Sequence, residues 1–159
     1  MKIVEIKDKS FEGIVSKTRI ACRAIIIDGD NILTSFESLT GIYMIPGGGL
    51  EENETYIECC IREVSEETGY IVQILDNPLE IDEYYQTRKF VNFYFVCKIE
   101  GKGKRKLTER EIEVGMEARW VNKDILIKEF ETYEKYRATD EMRCGLYYRE
   151  LMALKNIKL

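Results

Sequence analysis

Histidine is absent from the 159-residue chain. That removes Ser-His-Asp and Cys-His arrangements and every zinc site that uses imidazole. Acid–base chemistry must fall to carboxylates, Lys, Tyr or Cys. No apolar run approaches the roughly 18 residues of a membrane span, and the N-terminal stretch MKIVEIKDKS lacks the apolar centre of a secretory signal. A protein of the cytoplasm without a membrane partner is expected. The five cysteines are odd in number, form no C-x-x-C, and include the adjacent Cys59 and Cys60. They read as small buried hydrophobes in a reducing compartment, not as a disulfide framework. Positive charge is also scarce: 24 Lys and Arg stand against 29 Asp and Glu, a net charge of -5. No global field gathers nucleic acid, so a role with phosphates would need positive charge from elsewhere.

What is present suits one globular domain over residues 1–159, with 45% hydrophobic residues to build its core. Residues 2–7 alternate as a strand. Two β-branched runs, 19–27 and 31–36, flank Asp28-Gly29-Asp30 and predict a hairpin. Another apolar run, 41–45, stops at Pro46 and Gly47–Gly49, which read as a turn. From Glu54 to Thr68 the period becomes helical, with Ile57, Cys60, Ile61 and Val64 on the core side, Asn53 as N-cap and Gly69 as stop. Extended segments follow at 70–75, 81–85 and 90–99. Lys102, Lys104, Arg105 and Lys106 read as a solvated loop, 118–121 as a last strand, and 141–154 as an amphipathic helix. Trp120 is expected in the core, Tyr133 and Tyr136 on the surface. The sum is a mixed α/β domain.

The helix carries a feature that a structural role does not explain. At about 100° per residue, Glu63, Glu66 and Glu67 share one sector, away from the apolar one. Like charges at these spacings each cost about 0.2–0.5 kcal/mol, and carboxylates in the last turn oppose the helix dipole at about 0.3–1 kcal/mol each. Arg62 offsets only part of this. A divalent cation reverses the sign: an all-oxygen donor set suits Mg²⁺ or Mn²⁺. The glycines just before the helix let backbone approach the same point and lend a carbonyl. A metal would also supply the missing positive charge for phosphates.

At Gly48, Glu54, Arg62, Glu63, Val64, Glu66, Glu67 and Gly69 the chain resembles the Nudix hydrolase superfamily, whose pattern is G-x5-E-x7-R-E-U-x-E-E-x-G-U with U aliphatic. It departs at the last position, where Tyr70 stands. The resemblance implies an α/β/α sandwich around a mixed β-sheet, and Mg²⁺-dependent (Mn²⁺ in its place) hydrolysis of a nucleoside diphosphate linked to another moiety: a triphosphate, a nucleotide sugar or a dinucleotide. Carried over by position, Glu63, Glu66, Glu67 and the Gly47 carbonyl would hold the metal, and Glu54 and Arg62 would orient the cluster. A base for the attacking water would come from Glu63 or from the later glutamates Glu109, Glu111, Glu113 and Glu117, with Glu113 and Glu117 preferred. Gly48, Tyr84 and Tyr85 would meet the nucleotide substrate, a tyrosine ring stacking on its base. A nucleotide sensor without turnover is the rival reading. RNA cap removal shares the chemistry, but the acidic balance argues against a nucleic-acid partner. The sequence leaves a homodimer open.

Overall fold

A computed structural model describes residues 1–158. The strands are β1 (Lys2–Lys7), β2 (Lys17–Asp28), β3 (Asn31–Glu37), β4 (Ile42–Met44), β5 (Gly47–Gly49), β6 (Tyr70–Tyr85), β7 (Arg88–Lys102) and β8 (Met116–Asn122). The helices are α1 (Tyr56–Thr68), α2 (Glu109–Glu113), α3 (Lys123–Phe130) and α4 (Glu141–Asn156), with a 3-10 turn over Glu131–Tyr136.

The sheet is mixed and runs β1-β6-β7-β2-β3-β4, with β5 on β2 and β8 on β3. β1 is parallel to β6 and β2 to β7, whereas β6–β7, β2–β3 and β2–β5 are antiparallel. The predicted hairpin forms with Asp28 opposite Asn31, closed by a two-residue loop that begins with Gly29 at φ 57°, a position that favours glycine. Alternation along the strands builds two cores. Cys22, Ala24 and Ile26 of β2 and Phe93, Phe95 and Cys97 of β7 pack under Cys59, Cys60 and Val64 of α1. The opposite face, with Ile25, Leu79, Ile81 and Tyr94, packs on Leu126 and Phe130 of α3 and Tyr147, Leu151 and Leu154 of α4. The architecture is a helix–sheet–helix sandwich. Among the described residues no helix is long and apolar enough to cross a membrane.

Several local expectations change. Thr55, not Asn53, caps α1: its hydroxyl accepts from the Glu58 amide (3.2 Å) while the Glu58 carboxylate accepts from the Thr55 amide (2.8 Å), a reciprocal capping box. Gly69 ends the helix at φ 76° as expected. Ile57 is half exposed and Cys59 takes its place against the sheet. Gly47–Gly49 is a short strand paired with Ala21–Arg23, not a turn. The segments at 70–75 and 81–85 are one strand, interrupted by irregular register between Ile71 and Leu79. Trp120 is 37% exposed. Tyr133 and Tyr136 are partly buried against the α4 core, because a tyrosine can bury its ring and leave its hydroxyl wet. Arg105 is exposed, but its guanidinium donates to the Met116 carbonyl (2.9 Å).

Candidate active site

The site forms where β5, the second half of α1 and the middle of β3 meet. Gly47 lies at φ 153°, and a Cβ there would overlap the Cys22 carbonyl oxygen and sit 2.7 Å from Arg23 Cα. Only glycine lets β5 lie this close to β2. At Gly48 a Cβ would overlap the Glu63 carboxyl group, so this glycine clears the space that the Glu63 side chain occupies. The Gly48 carbonyl accepts from Cys59 Sγ (3.6 Å).

Arg62 organises the glutamates. Its Nε and Nη2 grip both Glu54 oxygens (2.6 and 2.9 Å), Nη2 also donates to the Gly49 carbonyl (3.0 Å), and Nη1 donates to Glu63 (2.8 Å) and Glu66 (3.3 Å). The two-pronged contact is the strong geometry for a guanidinium on a carboxylate. The hydrogen bond from Arg62 holds the Glu54 carboxyl down at about 2, and Arg62 is held well above its ordinary value in turn, chiefly by Glu54.

Glu67 departs most from expectation. The helical period places it in an outward acidic sector, but it is 8% exposed. β3 and β5 cover it: Ser35 Oγ and the Gly47 amide both donate to Glu67 Oε2, at 2.8 and 3.1 Å. Burial pushes its carboxyl up to about 8, against the lowering effect of those two donors. Burial also raises Glu63, and the Glu66 and Glu111 charges push the same way while Arg62 opposes.

These groups fit a hard divalent cation in donor chemistry. All are oxygens, two are carboxylates that burial has made costly to ionise alone, and glycine leaves the approach to Glu63 clear. In the present arrangement no group of three acidic side chains among the described residues converges on one point; Arg62 Nη1 bridges Glu63 and Glu66, and Glu67 turns to Ser35.

The other predicted residues are distributed as follows. Among the later glutamates, Glu111 on α2 is half-buried and its charge reaches Glu63. Glu113 is exposed, and the Glu117 carboxylate pairs with Arg119. Tyr84 and Tyr85 point to opposite faces of β6. Tyr84 packs on Phe11 (5.0 Å) beneath the ammonium groups of Lys7 and Lys89. Tyr85 packs on Phe90 (6.1 Å) and donates to Glu83 (3.2 Å). In register they stand opposite Lys89 and Arg88, whereas Gly48 is level with Phe93 through Cys22. That offset of four or five residues is about 13–17 Å along the strands, so neither ring touches the glutamate cluster.

Sequence reasoning missed Ser35, which carries Glu67, and Glu37, buried two residues further along β3 with Thr40 and Arg110 on its carboxylate. It also missed a chain of polar contacts beside β5, in which Arg23 Nε donates to Asn92 (3.1 Å), Asn92 to Glu83 (3.0 Å), and Arg149 pairs with Glu83 and Glu150. Polar residues at inward positions of apolar strands were the available signal.

Residues 17–141 match the NUDIX domain family. No curated protein matches the chain significantly. Among solved structures, a NUDIX hydrolase from Nitrosomonas europaea aligns over 84% of this chain and 89% of its own, with 24% identity and a TM-score of 0.59. A NUDIX-family hydrolase from Clostridium perfringens aligns over 89% and 99%, with 16% identity and a TM-score of 0.54. A MutT protein from Bacillus halodurans aligns over 69% and 72%, with 23% identity and a TM-score of 0.52. At these identities the structures speak to the fold. The domain match spans β2 to the first residue of α4 and includes the entire glutamate cluster, so the chain belongs to the Nudix family.

Proposed function

We propose that this protein is a Mg²⁺-dependent pyrophosphohydrolase whose substrate is a nucleoside diphosphate linked to another moiety. The observation that carries the reading is the way Arg62, gripped by Glu54, presents Glu63 and Glu66 beside a backbone cleared by Gly48, with Glu67 buried alongside. Glu63, Glu66, Glu67 and the Gly47 carbonyl would hold the metal, which when bound neutralises the phosphates and polarises the phosphorus under attack. Glu54 and Arg62 keep the glutamates in place. In the reaction a water oxygen bonds to one phosphorus, the bridging P–O bond breaks with its electron pair on the leaving phosphate, and a carboxylate takes the water proton. Glu111 is the acceptor we favour over Glu113 and Glu117, because it is half-buried on α2, whereas Glu113 is exposed and the Glu117 carboxylate pairs with Arg119.

The deciding experiment is a panel of nucleotides with Mg²⁺ and identification of products by mass. Two phosphate-containing products from at least one nucleotide supports the reading. Tight binding of one nucleotide with no turnover of any would replace it with the sensor.

A further inference from the structure

Three cations, Lys17, Arg19 and Arg88, gather at one concavity where β2 and β7 begin. Lys17, Arg19, Arg88 and Lys89, with the Phe90 ring, line a cavity of about 170 Å³. The parallel register explains the gathering: Lys17 stands opposite Arg88 and Arg19 opposite Phe90, so the side chains of Lys17, Arg19, Arg88 and Phe90 leave the same face of the sheet, while that of Lys89 leaves the other, over Tyr84. Lys89 is held by Asp82 (2.6 Å). Among the described residues, no ion pair engages Lys17, Arg19 or Arg88.

Like charges directly opposite on neighbouring strands are destabilising. In a chain with 29 acidic residues and a net charge of -5, three unpaired cations at one place have no structural explanation. An anion in the cavity reverses the sign. The cavity also adjoins the candidate active site: a Cβ on Gly49 would stand 3.3 Å from Arg19 Nη2, and the Gly49 carbonyl accepts from Arg62. One glycine therefore separates the Arg19 guanidinium from the guanidinium that organises the glutamates. Arg19 lies four residues before Arg23, which is level with Gly47, or about 13 Å along β2.

We propose that this cavity binds a phosphate monoester at the far end of the substrate, separate from the diphosphate that is cleaved. The proposal rests on the hydrolase reading and narrows it to extended substrates that carry a further phosphate. The cavity is smaller than the roughly 300–1,000 Å³ of pockets that enclose a whole drug-sized ligand. It suits one tetrahedral anion, gripped by the forked donors of Arg19 and Arg88, with the attached group resting on Phe90. Free phosphate shares this chemistry, and the two sources separate experimentally.

Amide shifts of the full chain in Mg²⁺ are followed while inorganic phosphate is added. Shifts at residues 17–19 and 88–90 that vanish in the Lys17→Ala/Arg88→Ala double variant are expected; their absence in the wild-type protein overturns the site whether or not any nucleotide is hydrolysed. In a second arm, two dinucleotides that differ by one phosphate monoester are compared as substrates. The phosphorylated one is expected to have the higher kcat/KM through a lower KM, and the ratio to fall about tenfold in the double variant. Equal kcat/KM for the pair, with the phosphate shifts present, would mean that the cavity takes free phosphate only and would overturn the substrate assignment. Failure of every nucleotide to react contradicts the hydrolase reading, while the shifts still decide the phosphate site.

Discussion

Ser35 Oγ donates a 2.8 Å hydrogen bond to Glu67 Oε2, so the middle of β3 holds the carboxylate that the helix alone would present to solvent. Replacing Ser35 with Ala leaves the Gly47 amide as the remaining donor to that oxygen. A hydrogen bond to a charged group contributes about 1.5–3 kcal/mol. Ser35→Ala is therefore expected to weaken Mn²⁺ binding by about tenfold or more, measured by the loss of the free-ion paramagnetic signal on titration. Unchanged affinity would show that Glu67 does not reach the metal.

Glu67→Gln keeps an oxygen for both donors and removes the group's ability to ionise when metal binds. The fold should survive, with a melting temperature no lower than wild type near neutral pH, and Mg²⁺-dependent turnover should fall by two or more orders of magnitude. Thermal melts and product assays on the same preparation check both halves.

The pH dependence of the metal-free protein follows from the same residue. Its folded carboxyl is raised to about 8 from an ordinary value of 4.5, so the folded state binds more protons than the unfolded state between those values. Stability without metal is expected to fall as pH rises from 4.5 to 8. Metal must displace the Glu67 proton, so apparent Mg²⁺ affinity should rise over the same range. Melting curves and metal titrations across this window test the two opposite slopes.

Glu54 works in the other direction. Its carboxyl is held down at about 2 by Arg62, so its contribution is fully present above 4.5 and is lost as pH falls toward 2. Glu54→Gln should lower the melting temperature at pH 6 and flatten its dependence on acid below 4.5.

Gly48→Ala places a methyl group on the Glu63 carboxyl. The carboxyl must swing away from the position it shares with Arg62, and turnover is expected to drop about a hundredfold, while circular dichroism stays that of wild type. A fully active Gly48→Ala protein would argue that Glu63 acts from another position.

The helix α1 and the spacing of its acidic residues were readable because both are local. Arg62, Glu63, Glu66 and Glu67 fall within two turns of one helix, and Glu54 and Gly69 bracket it at fixed spacing. The hairpin was readable for the same reason. What covers the acidic sector was not: a helical projection separates two faces but cannot say that β3, 32 residues away, lies over one of them. The cap fell two residues late because Thr55 and Glu58 form a reciprocal pair that outcompetes Asn53. α3 and the 3-10 turn after it were missed since the charged residues between Leu126, Phe130, Tyr133 and Tyr136 blur the apolar spacing. The basic cavity depends on the parallel pairing of β2 with β7, a register that no short stretch of sequence encodes.

The central claim is that the Glu63, Glu66 and Glu67 carboxylates hold a divalent cation for phosphate chemistry. Crystals grown with Mn²⁺ and a non-hydrolysable nucleotide test it most directly. The account predicts an anomalous difference peak within bonding distance of these carboxylates, with phosphate oxygens completing its coordination; a bound nucleotide whose phosphates lie elsewhere, with no peak beside α1, would contradict it.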